Sequence, residues 1–376
     1  MSEYQYVAFR AIDSPVSAKN LQYMHRQSSR AKITPWSFEN EYHYGDFRGD
    51  AEEMLRRGYD VHLHYANFGI RRLLIRLPRG LPDPRALKPY LMRDSLRYLK
   101  DKQGPGGILA VDPFLEPGYL EDLWDLDDSF ERLLSLRAEL LEGDLRPLYL
   151  AHLAVACDCD EDDQVREGPV PAGLQMLTDA QYALVQFYGL SDEMVAAAAD
   201  KSLPLPPHAD PTKDRSSWLR RQSEATKNAW LESLLADPSS SVRAEILAKY
   251  ARHRDTPTWP TTPANRAITE LRAAAEELAH AAKEKAKAKA ARQRAERHRA
   301  MAADPEKTLR ETERLAEERT VAAYTKIGQL LADLSEALEE SGRSNLVIKH
   351  AQKLKAANPG RHKLSSELRR RGFLPK

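Results

Sequence analysis

The sequence predicts an α+β protein: an N-terminal mixed sheet with packed helices, followed by an extended helical or coiled-coil C-terminal region. Three patterns predict it. Short segments between residues 4 and 77 alternate apolar and polar residues, as half-buried strands do. Leucine-rich segments without that alternation follow, between Leu120 and Ala199. Beyond Asn265 the chain consists largely of Ala, Glu, Lys and Arg, a composition typical of long helices.

The first hundred residues predict the order strand, helix, strand, helix, strand, strand. The first helix begins at Ser14-Pro15, and the second begins at Asp50, where Glu53 completes a capping-box pattern. Asn67-Phe68-Gly69 separates the last two strands and predicts a hairpin. The predicted strands cover residues 4–11, 36–43, 61–65 and 70–77. From residue 78 to about residue 211, helices are predicted to pack on this sheet.

Two proline-rich stretches divide the chain, because proline lacks an N–H and restricts the residue before it. We predict linkers at residues 203–216, which include Leu203-Pro204-Leu205-Pro206-Pro207, and at residues 254–264. The remaining segments are an α+β globular domain (1–202), a helical pair (217–253), a long charged helix or coiled coil broken near 304–305 (265–341), and a basic helical tail (342–376).

The long charged segment has two different halves. Residues 280–300 contain no Leu, Ile, Val or aromatic residue, so this half has no face to bury and is predicted to be an exposed helical spacer. The second half repeats apolar residues at spacings of three and four, the pattern of a heptad seam. This predicted assembly seam consists of Tyr324, Ile327, Leu331, Leu334 and Leu338.

Charge is segregated along the chain, although the total of 57 Lys and Arg against 56 Asp and Glu gives a net charge of only +1. Residues 112–163 contain 16 acids and three arginines, whereas residues 343–376 contain ten bases and one acid. Residues 280–300 contain eight bases and two acids. The balance argues against a uniformly basic coat for nucleic acid, and the segregation predicts charged partners at separate parts of the chain.

Cysteine usage and hydropathy predict a cytoplasmic protein. The two cysteines, Cys157 and Cys159, are too few for a disulfide framework. The N-terminus lacks the pattern of a signal peptide, and no stretch approaches the length of about 18 apolar residues that a membrane helix needs. We therefore expect no membrane segment.

Three histidines are candidate metal ligands: His43, His62 and His64. His62 and His64 are two residues apart on a predicted strand, so their rings share a face, and His43 is expected to face the same way on its own strand. Imidazoles with a nearby carboxylate are typical zinc ligands. The alternative is that these residues lie on the solvent face of a half-buried sheet. No cofactor is predicted.

The basic tail is the candidate nucleic-acid-binding segment, because clustered Lys and Arg displace the counterions condensed on phosphates. No aromatic residues are interleaved to stack bases. The candidate residues are Lys349, Lys353, Lys355, Arg361, Lys363, Arg369, Arg370 and Arg371. The chain's own acidic segment is the alternative partner of this tail.

The sequence contains no catalytic motif that we recognise: a Gly-rich phosphate loop, a nucleophile elbow and an HExxH helix are all lacking. We therefore predict no catalytic residue. Polar residues of the first domain, including Ser28, Thr34, Asp46 and Asn67 with the three histidines, support the alternative of an enzyme or a small-ligand or metal-binding domain. Turns and sheet edges explain the same residue types.

Motifs at both ends of the chain carry a resemblance to a protein family. In the first domain they are Tyr4-Gln5-Tyr6, Ala11-Ile12-Asp13 and residues 28–35, 41–50, 65–69 and 72–78. At the end they run from Leu331 through Gly342-Arg343 to Leu368 and Gly372-Phe373-Leu374. Through them the chain resembles an uncharacterised bacterial protein family typically encoded beside SWIM zinc-finger proteins, although the family has Trp where Tyr44 stands. The resemblance implies a protein partner and no assigned catalytic residue.

Together these patterns predict a non-catalytic interaction or scaffold protein that acts in a complex. The C-terminal helices are expected to bind a protein partner or a second copy of the chain. A SWIM zinc-finger protein and nucleic acid are the candidate partners.

Overall fold

The structure, a computed structural model, describes residues 3–77, 83–102, 106–113, 126–158, 165–205, 211–236, 242–253, 259–339 and 341–375. The chain forms two compact units. We call Met1–Leu278 the N-terminal unit and Ala279–Lys376 the C-terminal unit. The predicted α+β class is confirmed: a seven-stranded sheet lies in the N-terminal unit, and the described C-terminal unit is helical.

The seven-stranded sheet is antiparallel throughout. Its strands are β1 Gln5–Arg10, β2 Lys32–Ile33, β3 Ser37–Tyr42, β4 Val61–Ala66, β5 Ile70–Leu77, β6 Leu96–Lys100 and β7 Gly107–Val111. They lie in the order β2-β3-β1-β4-β5-β7-β6. The prediction of a mixed sheet is therefore wrong. The short connections β4–β5 and β6–β7 make hairpins, whereas a parallel pair needs a crossover of about a dozen residues or more.

Both faces of this sheet are covered. Val7 and Phe9 of β1 belong to one hydrophobic core, and the alternate residues Tyr6 and Ala8 belong to another. We call the side of Val7 and Phe9 the front face and the side of Tyr6 and Ala8 the back face. Every residue of β4 is buried. Polar residues at alternate positions of the central strands are consequently enclosed, although a half-buried sheet would place them in solvent.

Two short helices cover the front face: α1 Ala18–Gln27 and α2 Ala51–Arg56. The Asp50 carboxylate caps α2, as predicted, by accepting a hydrogen bond of 2.9 Å from a main-chain N–H of the first turn. Met24 of α1 and Met54 of α2 are fully buried in the front core. The caps and these apolar contacts hold both helices on the sheet.

Helices cover the back face and form the larger core of the N-terminal unit. They are α3 Pro84–Leu87, α4 Leu126–Leu133, α5 Ser135–Glu142, α6 Arg146–Asp158, α7 Asp179–Phe187 and α8 Asp192–Ala199. Phe130, Leu140, Leu148 and Leu153 are fully buried in this core. Burial of each such side chain contributes about 1.5–3 kcal/mol, so the leucine-rich segments provide much of the stability of the unit.

The prediction of helices throughout residues 78–211 is wrong for its first part, where β6 and β7 complete the sheet. All of β7 is apolar and buried on both sides, so its sequence shows no alternation from which a strand is recognised. A second sheet of two strands pairs β8 Val170–Pro171 with β9 Thr261–Thr262. These pairings depend on contacts between distant segments.

Part of the second predicted linker lies against the N-terminal unit. Beside β9, Trp259 Nε1 donates a hydrogen bond of 3.1 Å to the carbonyl of Ala172. Arg266 donates to the buried carboxylate of Glu167 at 2.5 Å, and the same carboxylate accepts from Tyr149 at 2.9 Å. Residues 254–258 of this linker, and 206–210 of the first, lie outside the described residues.

Three helices lie where the sequence predicts a helical pair, and the first of them begins at Pro211, so the prediction of a linker over 203–216 is wrong for residues 211–216. They are α9 Pro211–Arg220, α10 Glu224–Ala236 and α11 Val242–His253. They share a small separate core of Trp218, Trp230, Val242 and Tyr250. The ring centroids of Trp218 and Trp230 are 6.1 Å apart, so aromatic contacts hold these helices together.

Five helices account for the rest of the chain: α12 Ile268–Ala303, α13 Pro305–Glu317, α14 Val321–Glu339, α15 Asn345–Ala357 and α16 His362–Arg370. The boundary between the two units falls inside α12. The predicted break at Asp304-Pro305 is present, because the Asp304 carboxylate caps α13 at 3.1 Å and Pro305 is its first residue. At the other end, Gly372 is left-handed with φ of 80° and ends α16.

The predicted assembly seam is the internal core of the C-terminal unit. Tyr324, Ile327, Leu331, Leu334 and Leu338 of α14 are buried against residues of α13, α15 and α16. The prediction that these side chains mediate assembly is therefore corrected. Short connections fold α15 and α16 back onto α14, so the chain's own helices cover the seam. The spacing of three and four marks any helix with one buried face, not only a coiled coil.

We predict that Leu334→Ala lowers the free energy of unfolding of the C-terminal unit by about 2–5 kcal/mol, because it leaves a cavity at a fully buried position. Leu346→Ala on α15 is the matched control, since Leu346 is 40% exposed, and is expected to cost less than about 1 kcal/mol. Hydrogen exchange of the full chain, measured on peptides of α13 to α16, tests both. A change of oligomeric state without faster exchange would contradict an internal core.

Candidate functional site

The two units carry opposite net charges. Residues 279–376 contain 23 Lys and Arg and 13 Asp and Glu, a net charge of +10. Residues 1–278 contain 34 Lys and Arg and 43 Asp and Glu, a net charge of −9. The charge segregation along the sequence therefore coincides with the division into units, and the C-terminal unit is the cationic one.

The eight candidate nucleic-acid-binding residues lie at the surface of the C-terminal unit. Lys349, Lys353, Lys363, Arg369 and Arg370 are exposed, and Lys355, Arg361 and Arg371 are half-buried. Among the described residues, Lys349 and Lys363 form no ion pair. The opposite sides of the same helices bury Val347, Leu354, Leu364 and Leu368. The apolar core thus fixes the direction in which the basic side chains project.

Carboxylates within the unit neutralise part of this surface. Lys353 Nζ lies 3.1 Å from Glu313, and Arg370 and Arg371 contact Glu367 at 2.6 and 3.2 Å. Burial raises the pKa of Glu367, but hydrogen bonds from the two arginines outweigh burial and lower that pKa below its ordinary value. Glu367 is therefore ionised at neutral pH and offsets part of the positive charge at the end of α16.

The exposed part of α12 forms a second cationic surface. Its eight bases, Lys283, Lys285, Lys287, Lys289, Arg292, Arg294, Arg297 and Arg299, are all exposed. Residues 276–297 include no buried side chain, as predicted for an exposed spacer. Farther along, α12 lies beside α14, where Arg297 contacts Asp333 at 2.8 Å and Arg294 contacts Glu336. The four lysines therefore provide the less neutralised part of this helix.

The C-terminal unit presents no exposed Phe, Tyr or Trp ring in its described residues. Its only Phe, Tyr or Trp residues are Tyr324 and Phe373, which are 7% and 8% exposed. Proteins that bind single-stranded bases usually stack them on aromatic side chains. This surface therefore suits phosphates and hydrogen-bonding base edges better than unstacked bases.

The structure separates the three histidines that the sequence groups as metal ligands. Pairing of β1 with β4 places His62 and His64 beside Phe9 and Val7, on the front face. His43 follows the end of β3, and its ring lies 5.5 Å from that of Tyr4, which packs on the back core. The prediction of one shared face is wrong for His43. The alternative of a solvent face is also wrong for the pair, because His62 and His64 are both buried.

A chain of hydrogen bonds runs across the front face. Gln5 Nε2 donates to Asp46 at 2.8 Å, and Gln5 Oε1 accepts from His64 Nε2 at 2.9 Å, which fixes the proton on that nitrogen. Arg72 pairs with His64 in the strand register and donates to Asp112 at 2.9 Å. Sequence reasoning missed Gln5, Arg72 and Asp112. Polar residues at alternate strand positions are the signal, but it requires the register of the strands.

His62 is fully buried and stacks on Phe9, with ring centroids 4.1 Å apart. Its Nδ1 lies 3.1 Å from the Ala8 carbonyl, which only accepts, so Nδ1 carries the proton and Nε2 is an acceptor without a partner among the described residues. Burial, and then the neighbouring His64, lower the pKa of His62 well below its ordinary value. Burial, and then Arg72, lower the pKa of His64 to about 4. Both rings are therefore neutral at pH 7.

The described part of the chain assembles no metal site. No group of three or more His, Cys, Asp or Glu side chains within it is placed to hold a metal ion. The ring centroids of His62 and His64 are 6.3 Å apart, and His43 lies on the other face of the sheet. The histidine pair is thus part of the front core.

The polar residues of the alternative pocket have local backbone roles. The Thr34 hydroxyl accepts a hydrogen bond of 2.9 Å from a main-chain N–H three residues later, and Ser28 does the same at 3.2 Å. Asn67 accepts from a main-chain N–H of the first strand region at 3.0 Å. These contacts stabilise turns and strand ends. Gln5 links Asp46 to His64 by hydrogen bonds, and the ring of His62 lies beside that of His64.

The acidic segment 112–163 is only partly described, because residues 114–125 and 159–164, which include Cys159, lie outside the described residues. Several of its described acids are engaged inside the N-terminal unit, Asp144 and Glu139 among them. Asp144 contacts Arg146 at 2.7 Å, and Glu139 accepts hydrogen bonds from Thr178 and Gln181 at 2.6 and 2.9 Å. These carboxylates hold helices together, so they are not part of an open anionic surface.

Comparison of the chain with protein-family models, with curated proteins and with solved structures finds no match. The expected partnership with a SWIM zinc-finger protein therefore depends on the sequence motifs alone. Among the helices in the described ranges, none has both the length and the apolar character that a membrane crossing requires.

We predict that acid destabilises the N-terminal unit through His64. Its pKa of about 4 in the folded chain lies below the ordinary value near 6.5, so the stability from neutral His64 is complete above pH 6.5 and is lost as the pH falls to about 4. One such group gives a slope of about 1.4 kcal/mol per pH unit in that window. Denaturant unfolding from pH 7 to pH 4 measures it.

His64→Gln is the control, because the glutamine amide can still donate to Gln5 but does not titrate. The variant is expected to lose less stability than the wild type over the same pH range. Parallel pH profiles for the two proteins would contradict a neutral, buried His64.

Proposed function

We propose that this protein is a non-catalytic, nucleic-acid-binding interaction protein whose C-terminal unit makes the contact. The observation that carries the proposal is that every predicted basic residue of the tail remains at the surface of a helical unit with a net charge of +10. A cationic surface displaces the counterions condensed on phosphates. Because this surface is already ordered, binding does not require the conformational entropy that a flexible tail would lose.

Recognition of the phosphate backbone is the mode that this surface favours. Its donors are Lys and Arg side chains, and Tyr324 and Phe373 are buried and cannot stack bases. Binding of this kind is tolerant of sequence and weakens steeply with salt. The net charge of −9 on the N-terminal unit opposes contact with phosphates, so we place the nucleic acid on the C-terminal unit alone.

A protein partner is the second part of the proposal. The family resemblance supports a SWIM zinc-finger protein that acts with this chain in the cytoplasm. The residues of the seam are engaged inside the C-terminal unit, so a partner or a second copy must use other surfaces. The proposed complex brings a nucleic-acid-binding unit and a separate acidic unit to the same partner.

We expect binding of the full chain to duplex DNA to weaken steeply between about 50 and 200 mM salt. If about five phosphates are neutralised, the slope of log affinity against log salt is about −4.5. Charge reversal of the α15 lysines Lys349, Lys353 and Lys355 to Glu is expected to make this slope shallower by about 3, because each lysine neutralises one phosphate. Fluorescence anisotropy with a labelled duplex measures both.

The matched control reverses three exposed bases of the N-terminal unit, Lys19, Arg26 and Arg30, to Glu. This variant has the same net charge as the C-terminal variant and is expected to keep the wild-type slope. Affinity that does not depend on salt, or equal losses in the two variants, would contradict the proposed site. Deletion of residues 343–376 is not a clean test, because it removes buried core residues such as Val347 and Leu368.

A further inference from the structure

We infer that α15 and α16 form a helix–turn–helix element, and that α16 lies in the major groove of duplex DNA. This inference rests on the proposed nucleic-acid-binding function and names its ligand and its recognition element. Four observations support it: the length of the turn between α15 and α16, the packing of α16, the composition of its outer side, and the placement of the lysines on α15.

The connection between the two helices has the length that this motif uses. α15 ends at Ala357 and α16 begins at His362, so residues 358–361 form a four-residue turn that contains Gly360. Helix–turn–helix motifs join their helices through three or four residues, often with a glycine, and place the second helix in the groove. After a turn this short, α16 packs on the same core as α15.

The inner side of α16 is firmly packed on α14. Leu364, Ser365 and Leu368 are buried, with exposures of 1%, 7% and 0%. The two helices approach closely at Gly328, where a Cβ atom would lie 2.7 Å from the Glu367 carboxylate. A recognition helix must be held rigidly for its side chains to meet base edges, and this packing supplies the support.

The outer side of α16 consists only of polar and basic residues. His362, Lys363, Ser366, Arg369 and Arg370 are all exposed. At 100° per residue they fall within an arc of about 120°, and the buried residues occupy the opposite side. Arg and Lys donate to O6 and N7 of guanine, and Ser bonds to several base edges in the major groove. The helix therefore presents base-reading groups on one side.

The dimensions and the chemistry favour duplex DNA over RNA or a single strand. An α-helix with its side chains is about 10–12 Å in diameter, which fits a B-form major groove about 12 Å wide. The major groove of an RNA duplex is too narrow for a helix, and single-stranded ligands usually need the exposed aromatic rings that the described C-terminal unit lacks.

The first helix of the motif carries the phosphate contacts. Lys349 and Lys353 are one helical turn apart on α15, and both are exposed. In helix–turn–helix proteins the first helix crosses the backbone while the second enters the groove. The exposed lysines of α12, at positions 283–289, belong to neither helix and contribute only to the general positive potential.

The test compares two triple variants of the full chain, each of which removes three positive charges from exposed helical positions. One variant changes Lys363, Arg369 and Arg370 to Ala on α16, and the control changes Lys283, Lys285 and Lys289 to Ala on α12. We expect the α16 variant to bind a short duplex DNA of mixed sequence about 100-fold more weakly, and the α12 variant less than about threefold more weakly. Circular dichroism verifies that both keep their helices.

Dimethyl sulfate footprinting distinguishes binding in the major groove from general attraction to phosphates. The reagent methylates guanine N7, which a protein protects only when it lies in the major groove. We expect the wild type to protect guanines, the α12 variant to retain protection and the α16 variant to lose it. Three outcomes would overturn the inference while leaving the proposed function intact. They are equal losses of affinity in the two variants, bound DNA without N7 protection, and equally tight binding of duplex RNA or single strands. If the wild type binds no nucleic acid at low salt, the proposed function itself fails.

Discussion

The packing of α14 against α15 and α16 is the interaction on which the basic surface of the C-terminal unit depends. Ile327, Leu331 and Leu334 are fully buried in this core, and without it the basic helices would be isolated segments too short to be stable in water. The same core decides which residues remain available. Since it uses the seam of α14, the unit can offer partners only its outer side, and that side is basic.

The N-terminal unit follows a different rule, because its sheet is covered on both faces. Polar residues on the front face must therefore find partners inside the protein: His64 donates to Gln5, and His62 donates to a main-chain carbonyl. Desolvation keeps both imidazoles neutral. A pair that resembles a metal site in the sequence is thus a hydrogen-bonded part of the core.

The sequence predicted correctly those features that depend on interactions between neighbouring residues. The cap at Asp50, the hairpin after Ala66 and the break at Asp304 all follow from residues within one turn of the feature. Exposure of the tail bases was also predictable, since Lys and Arg are almost never buried without a partner. The sequence did not predict the strand β7, the face of His43 or the helices that cover the α14 seam. Each of these depends on which distant segment packs there. Periodicity shows that a face is buried but not what covers it.

The near-zero charge of the whole chain is the sum of two opposite surfaces, and this separation has a consequence for binding. Charges are screened over about 10 Å in dilute salt, so a phosphate responds mainly to the Lys and Arg side chains within that distance. The net charge of −9 on the N-terminal unit repels any polyanion that approaches that unit directly. A balanced chain can therefore bind a polyanion at one unit and keep the other free for a protein partner, which a uniformly basic chain of the same size cannot do.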